Sequence, residues 1–172
     1  MKTRTKGLIV FILTGLVLLL FSTRIILLLT GYKLSKEQID TTVLSRDIAF
    51  SIDNINKPKG ILELVYFNGW AFDQAFPTSL ERNISFILKA NDYAYEISAK
   101  TFSLPNIAEY FAAQNVTSEG LGYIGSFSTI ALQDGKYELF IKYWDERNSP
   151  AIVYTGRFFV KGGGAFEEIP RE

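Results

Sequence analysis

Apolar positions along this chain follow two regimes. From Gly7 to Thr23 they are continuous, 17 residues without a charge, and after Arg24 they resume as IILLL. At about 1.5 Å per residue the first run is roughly 26 Å of helix, and continuing it to residue 29 gives roughly 35 Å, enough to cross a hydrocarbon core. Beyond residue 45 the pattern becomes alternation with period two. NISFILKA (83–90) places Ile84, Phe86 and Leu88 on one face. YAYEISAKTF (93–102) does the same with Tyr93, Tyr95, Ile97 and Ala99, and the Asn91-Asp92 turn between the two runs predicts a β-hairpin. KYELFIKYW (136–144) aligns Tyr137, Leu139, Ile141 and Tyr143, and the Asp134-Gly135 pair before it predicts a tight hairpin turn.

Further strands are predicted at 46–53, at 61–74 with Gly69 as a bulge or close backbone approach, at 122–132 with Gly125 inside, and at 151–161. Residues 104–115 differ: Ile107, Tyr110 and Phe111 recur at helical spacing, with Asn106 as the expected cap of a short connecting helix near 105–113. About seven antiparallel strands separated by turn signals predict an all-β sandwich, with a small barrel as the alternative.

The expected organisation is a cytoplasmic basic flank at 1–6, a transmembrane anchor at 7–30, a spacer at 31–45 with a helical turn capped by Ser35, a β-sandwich domain at 46–163 and a flexible tail at 164–172. Lys2, Arg4 and Lys6 predict a cytoplasmic N-terminus and an extracytoplasmic C-terminal domain. The apolar run exceeds a signal-peptide core and no small-x-small site follows it, so an uncleaved single-pass anchor is expected over a cleaved leader. Arg24 either snorkels to the headgroups or pairs with a carboxylate of a partner helix.

Charge and composition narrow the chemistry. All 18 acidic and 14 of the 18 basic residues lie in 33–172, a net charge of −4 there, so no nucleic-acid partner is expected. The chain has no Cys and no His. Disulfides, Ser-His-Asp and Cys-His catalysis and Cys/His zinc sites are thereby excluded, and neither a metal nor a cofactor is expected. Asp145-Glu146, Asp73 and Glu81 read as solvated acids rather than an acid–base pair.

The runs GWAF (69–72), LPNIAEYF (104–111) and GSFSTIALQDGKY (125–137) resemble immunoglobulin-like β-sandwich modules of bacterial envelope proteins, over most of 60–145. The resemblance implies an immunoglobulin-like fold and an accessory or binding role without assigned activity. Ser103 and Asn106 stand where those modules carry Arg and Asp, so no ligand role carries over to that pair.

Three aromatic residues are candidate binding residues. Strand parity turns Phe140 and Trp144 away from the Tyr137, Leu139 and Ile141 row, as an exposed pair unless a loop or the 104–115 helix covers them. Trp70, close to Phe72 and Phe76, either packs in the fold or stacks on a sugar ring. The expectation is a non-catalytic, membrane-anchored interaction or accessory module of the envelope, contacting lipid through 7–30 and an envelope protein or cell-wall glycan through its domain. The alternative is a carbohydrate-binding or carbohydrate-processing module.

Overall fold

A computed structural model describes residues 14–15, 34–37, 46–58, 63–146 and 150–170. The chain divides into two compact units, 1–33 and 34–172. In the first, only Thr14 and Gly15 are described, both helical. The span predicted over 7–30 otherwise lies outside the described residues, among which no helix is long and apolar enough to cross a membrane.

The second unit is a sandwich of two antiparallel sheets. Its strands are β1 (Leu34–Glu37), β2 (Ile48–Ile55), β3 (Leu64–Asp73), β4 (Arg82–Lys89), β5 (Ala94–Ser98), β6 (Lys100–Phe102), β7 (Gly122–Ser128), β8 (Gly135–Asp145), β9 (Ala151–Gly162) and β10 (Ala165–Ile169), with helix α1 (Pro105–Tyr110) between β6 and β7. The six-stranded sheet has the order β1-β5-β4-β8-β9-β10, and the four-stranded sheet β2-β3-β7-β6.

The alternating residues close on each other as their parity requires. Ile84, Phe86 and Leu88 of β4 and Tyr137, Leu139, Ile141 and Tyr143 of β8 meet Val65, Phe67, Tyr123 and Phe127 of the facing sheet in one buried cluster. Two glycines make room for rings. Phe67 lies over Gly125, where a Cβ would meet the ring at 2.3 Å. Tyr123 crosses Gly69 to donate its hydroxyl to the Ser51 carbonyl at 2.6 Å, and a Cβ on Gly69 would sit 2.0 Å from that carbonyl oxygen. The pairing register also shifts opposite Gly69, between Ile52 and Asn54, so the glycine serves both a close approach and a bulge.

Several connections differ from the local expectation. The 93–102 run divides at Ala99: Ala94–Ser98 pairs with β4 and Lys100–Phe102 with β7, so the chain passes from one sheet to the other. Asp134-Gly135 is not a hairpin turn, because β7 and β8 lie in different sheets. It is a corner, held by the Tyr137 hydroxyl donating to the Gln133 carbonyl at 2.6 Å.

The tight hairpin lies instead in the segment expected to be a flexible tail. Gly163 and Gly164 (φ +59° and +81°) turn β9 into β10, and Phe166 enters the core against Phe159. Leu34–Glu37, expected as a helical turn, pairs with β5. Helix α1 begins without a side-chain cap. Pro105 at its first position, not Asn106, sets the start, since proline's fixed φ suits a residue whose N–H needs no helical partner.

Candidate functional site

The sequence candidates do not form one site. Trp70 lies on the outer face of the four-stranded sheet, while Phe140 and Trp144 lie on the outer face of the six-stranded sheet. Trp70 and Phe72 form a second packed cluster with Leu104, Ile107 and Phe111 of the α1 region, closed by Val116 and Leu121. Trp70 meets Phe111 edge-on, with ring centres 5.2 Å apart. The helix therefore covers Trp70, not the Phe140 and Trp144 pair. Trp70 remains half-buried in this packing.

The outer face of the six-stranded sheet presents the better candidate. Cross-strand pairing puts Ser85, Ile87 and Lys89 of β4 beside Lys142, Phe140 and Glu138 of β8, and these beside Ile152, Tyr154 and Phe158 of β9. Phe140 points away from the main core as parity predicts, yet it is only 7% exposed. Among the described residues no helix buries it; it packs sideways against Ile87, Ala94 and Ile152 on its own sheet. The expected exposed pair is thus one packed ring, Phe140, and one half-buried ring, Trp144, with the Lys142 ammonium 5.7 Å from the Trp144 ring centre.

Phe140 anchors a row that the sequence reading did not single out. Tyr154 lies 5.3 Å from Phe140 and 6.1 Å from Phe158, and Tyr154 is 38% exposed. From Glu138 to Trp144 the row follows seven residues of β8, six steps of strand rise or roughly 20 Å. Across it, Glu96 of β5 accepts from the Ser85 hydroxyl at 2.6 Å and from the Lys142 ammonium at 2.9 Å, fixing a polar margin. At the other end Lys89, Ala90, Asn91, Lys136, Tyr137, Glu138 and Phe158 line an open concavity of about 400 Å³. It lies within the size range of small-molecule sites.

The acidic residues do something else. Asp145 ends β8 and Asp73 ends β3, and neither is a solvated loop acid: they are 5% and 1% exposed. Arg46 bridges them, donating from Nε to Asp73 at 2.7 Å and from Nη2 to Asp145 at 3.1 Å. Burial would lower the Arg46 guanidinium pKa, but the two carboxylates outweigh it and raise it. Beside them, buried Arg82 donates to the carbonyls of Pro77, Thr117 and Glu119, tying two loops to the end of β4. Burial lowers its pKa, opposed by neighbouring Tyr143. Two buried carboxylates committed to one half-buried arginine form a structural clamp rather than an acid–base pair. No group of metal-ligating side chains occurs among the described residues.

No protein-family model matches the chain, and neither a curated protein nor a solved structure matches it.

Proposed function

We propose that this chain is a membrane-anchored, extracytoplasmic, non-catalytic interaction module of the cell envelope, binding through the outer face of its six-stranded sheet. The observation that carries the reading is the Phe158–Tyr154–Phe140 row continued by Trp144. It stands outside the inter-sheet core and is flanked by the charged side chains of Lys89, Glu138, Lys142 and Glu96. Aromatic anchors with a polar margin are the usual composition of binding surfaces. The anchoring part of the proposal rests on the uncharged run at 7–23 and its basic flank.

The proposed fold within the β-sandwich class is immunoglobulin-like. The orders β2-β3-β7-β6 and β5-β4-β8-β9 correspond to the ABED and C′CFG sheets of such domains, with β1 and β10 as additional edges. Tyr137, bonded to a carbonyl four residues upstream, occupies the position of the tyrosine corner at the start of strand F.

The test is co-sedimentation of the full chain, its anchor held in detergent, with isolated envelope material freed of membrane lipid. Replacing Tyr154 and Trp144 together by Ala should weaken binding about thirtyfold, the scale of a binding hot spot of about 2 kcal/mol. Tyr66→Ala, on the exposed outer face of the other sheet, should leave it unchanged. Equal binding by the double variant would overturn the assignment of the face.

A further inference from the structure

We infer that the concavity formed by Lys89, Asn91, Lys136, Glu138 and Phe158 is a subsite for an acidic sugar unit, so that the ligand of this face is an anionic glycan. The inference rests on the reading of the face as a binding surface and adds the chemical class of what it binds.

A sugar ring presents a face rich in C–H groups and a rim of hydroxyls that both donate and accept. Its receptor therefore needs an apolar plane together with donors and acceptors at the edge. The concavity supplies each. Half-buried Phe158 is the aromatic surface, Lys89, Lys136 and the Asn91 amide donate, and the Glu138 carboxylate and the Asn91 carbonyl accept. The ladder fixes three of these groups side by side, since Lys89 pairs with Glu138 and Glu138 with Phe158.

Charge selects the ligand further. The lining carries two ammonium groups and one carboxylate, within a segment, 33–172, whose net charge is −4. A carboxylate-bearing sugar brings a counter-charge to the exposed Lys136 ammonium, which a neutral sugar does not. The aromatic row leads from Phe158 to Tyr154 and Phe140, so further units of a chain can lie along β8 and β9. A peptide added as a strand does not fit here. β8 is hydrogen-bonded to β4 on one side and β9 on the other, so its backbone offers no open edge.

The experiment is affinity electrophoresis of the detergent-solubilised full chain in native gels containing polygalacturonate, alginate or hyaluronate, with neutral hydroxyethylcellulose in parallel. Retardation by at least one acidic polymer and none by the neutral one is expected. Lys136→Glu should weaken that retardation about tenfold, the scale of one lost charge-assisted hydrogen bond. Lys100→Glu, exposed on β6 of the other sheet, should not change it. Tyr154→Ala should weaken binding to every polymer that binds.

Equal loss in Lys100→Glu and Lys136→Glu would mean unspecific attraction of a polyanion and would overturn the subsite. Binding of hydroxyethylcellulose that depends on Tyr154 but not on Lys136 would overturn the acidic-sugar assignment while the binding face stood. Retardation by none of the acidic polymers would overturn it as well, and the envelope co-sedimentation above would decide separately on the face.

Discussion

Phe166 offers the sharpest test of how the C-terminal residues belong to the domain. The ring is 4% exposed, stacked on Phe159 with centres 5.0 Å apart and planes at 3°, and edge-on to Phe127 at 5.5 Å. It also lines the apolar void between the sheets together with Phe67, Phe86, Leu88 and Leu139. Phe166→Ala removes the ring from this packed site, loses both aromatic contacts and enlarges the void. Phe→Ala changes in cores cost about 3–5 kcal/mol, of which each aromatic pair accounts for about 1 kcal/mol. β10 is a five-residue edge strand that can move inward, so the expected cost is about 3 kcal/mol, the lower end of that range. The assay is urea unfolding of residues 34–172, followed by tryptophan fluorescence and circular dichroism, with the m-value checked for constancy. A loss below about 1 kcal/mol, the scale of an ordinary surface change, would refute the docking of β10 onto the core.

The fragment 34–172 should fold as a β-rich unit without the preceding residues. The fragment 46–163, which lacks β1 and β10, should unfold at clearly lower urea; equal midpoints would contradict the sheet order. Gly69→Ala should cost about 2 kcal/mol or more, because the new methyl collides with the Ser51 carbonyl and the Tyr123 hydroxyl; a neutral result in the same titration would contradict the close approach. Burial pushes the Tyr123 and Tyr137 phenols well above the ordinary 10.0, so folding favours their protonated forms. Their stabilising contribution is intact below pH 10 and is lost as pH rises further, so unfolding midpoints should fall above pH 10, and ultraviolet titration should show buried phenols, these two among them, that ionise only on unfolding. In intact cells or spheroplasts, added protease should digest residues 33–172 and leave a short membrane-bound stub; protection until lysis would overturn the proposed orientation.

Much of the sandwich was legible because alternation is a local property. The inward rows of β4 and β8 follow from sequence parity alone, and so does the outward direction of Phe140 and Trp144. Features set by distant partners were not legible. Nothing near Ala99 announces a change of sheet, and Asp134-Gly135 suits a corner as well as a hairpin, the choice resting on where β8 finds its neighbours. The three glycines at 162–164 suggested flexibility, yet two of them supply the positive φ of a hairpin whose worth depends on Phe166 reaching Phe159. Asp73 and Asp145 read as solvated because Arg46, their common partner, is 27 and 99 residues away.

The candidate site was legible in part for a similar reason. β9 is apolar on both faces, with Ala151, Val153 and Phe159 inward and Ile152, Tyr154 and Phe158 outward. Its own pattern therefore did not mark the outward aromatics. Only the register with β8 aligns Phe158 with Glu138 and Tyr154 with Phe140 and so completes the row.

The central claim is that the outer face of the six-stranded sheet is the surface this protein uses. Photo-crosslinking in intact cells tests it most directly, with a photoreactive phenylalanine at position 154 in one variant, 66 in a second and 110 in a third. Tyr154, Tyr66 and Tyr110 are all exposed, so each position is open to a partner. The account predicts a crosslinked envelope species from position 154, and none from positions 66 and 110. Crosslinking from 66 or 110 with none from 154 would contradict it.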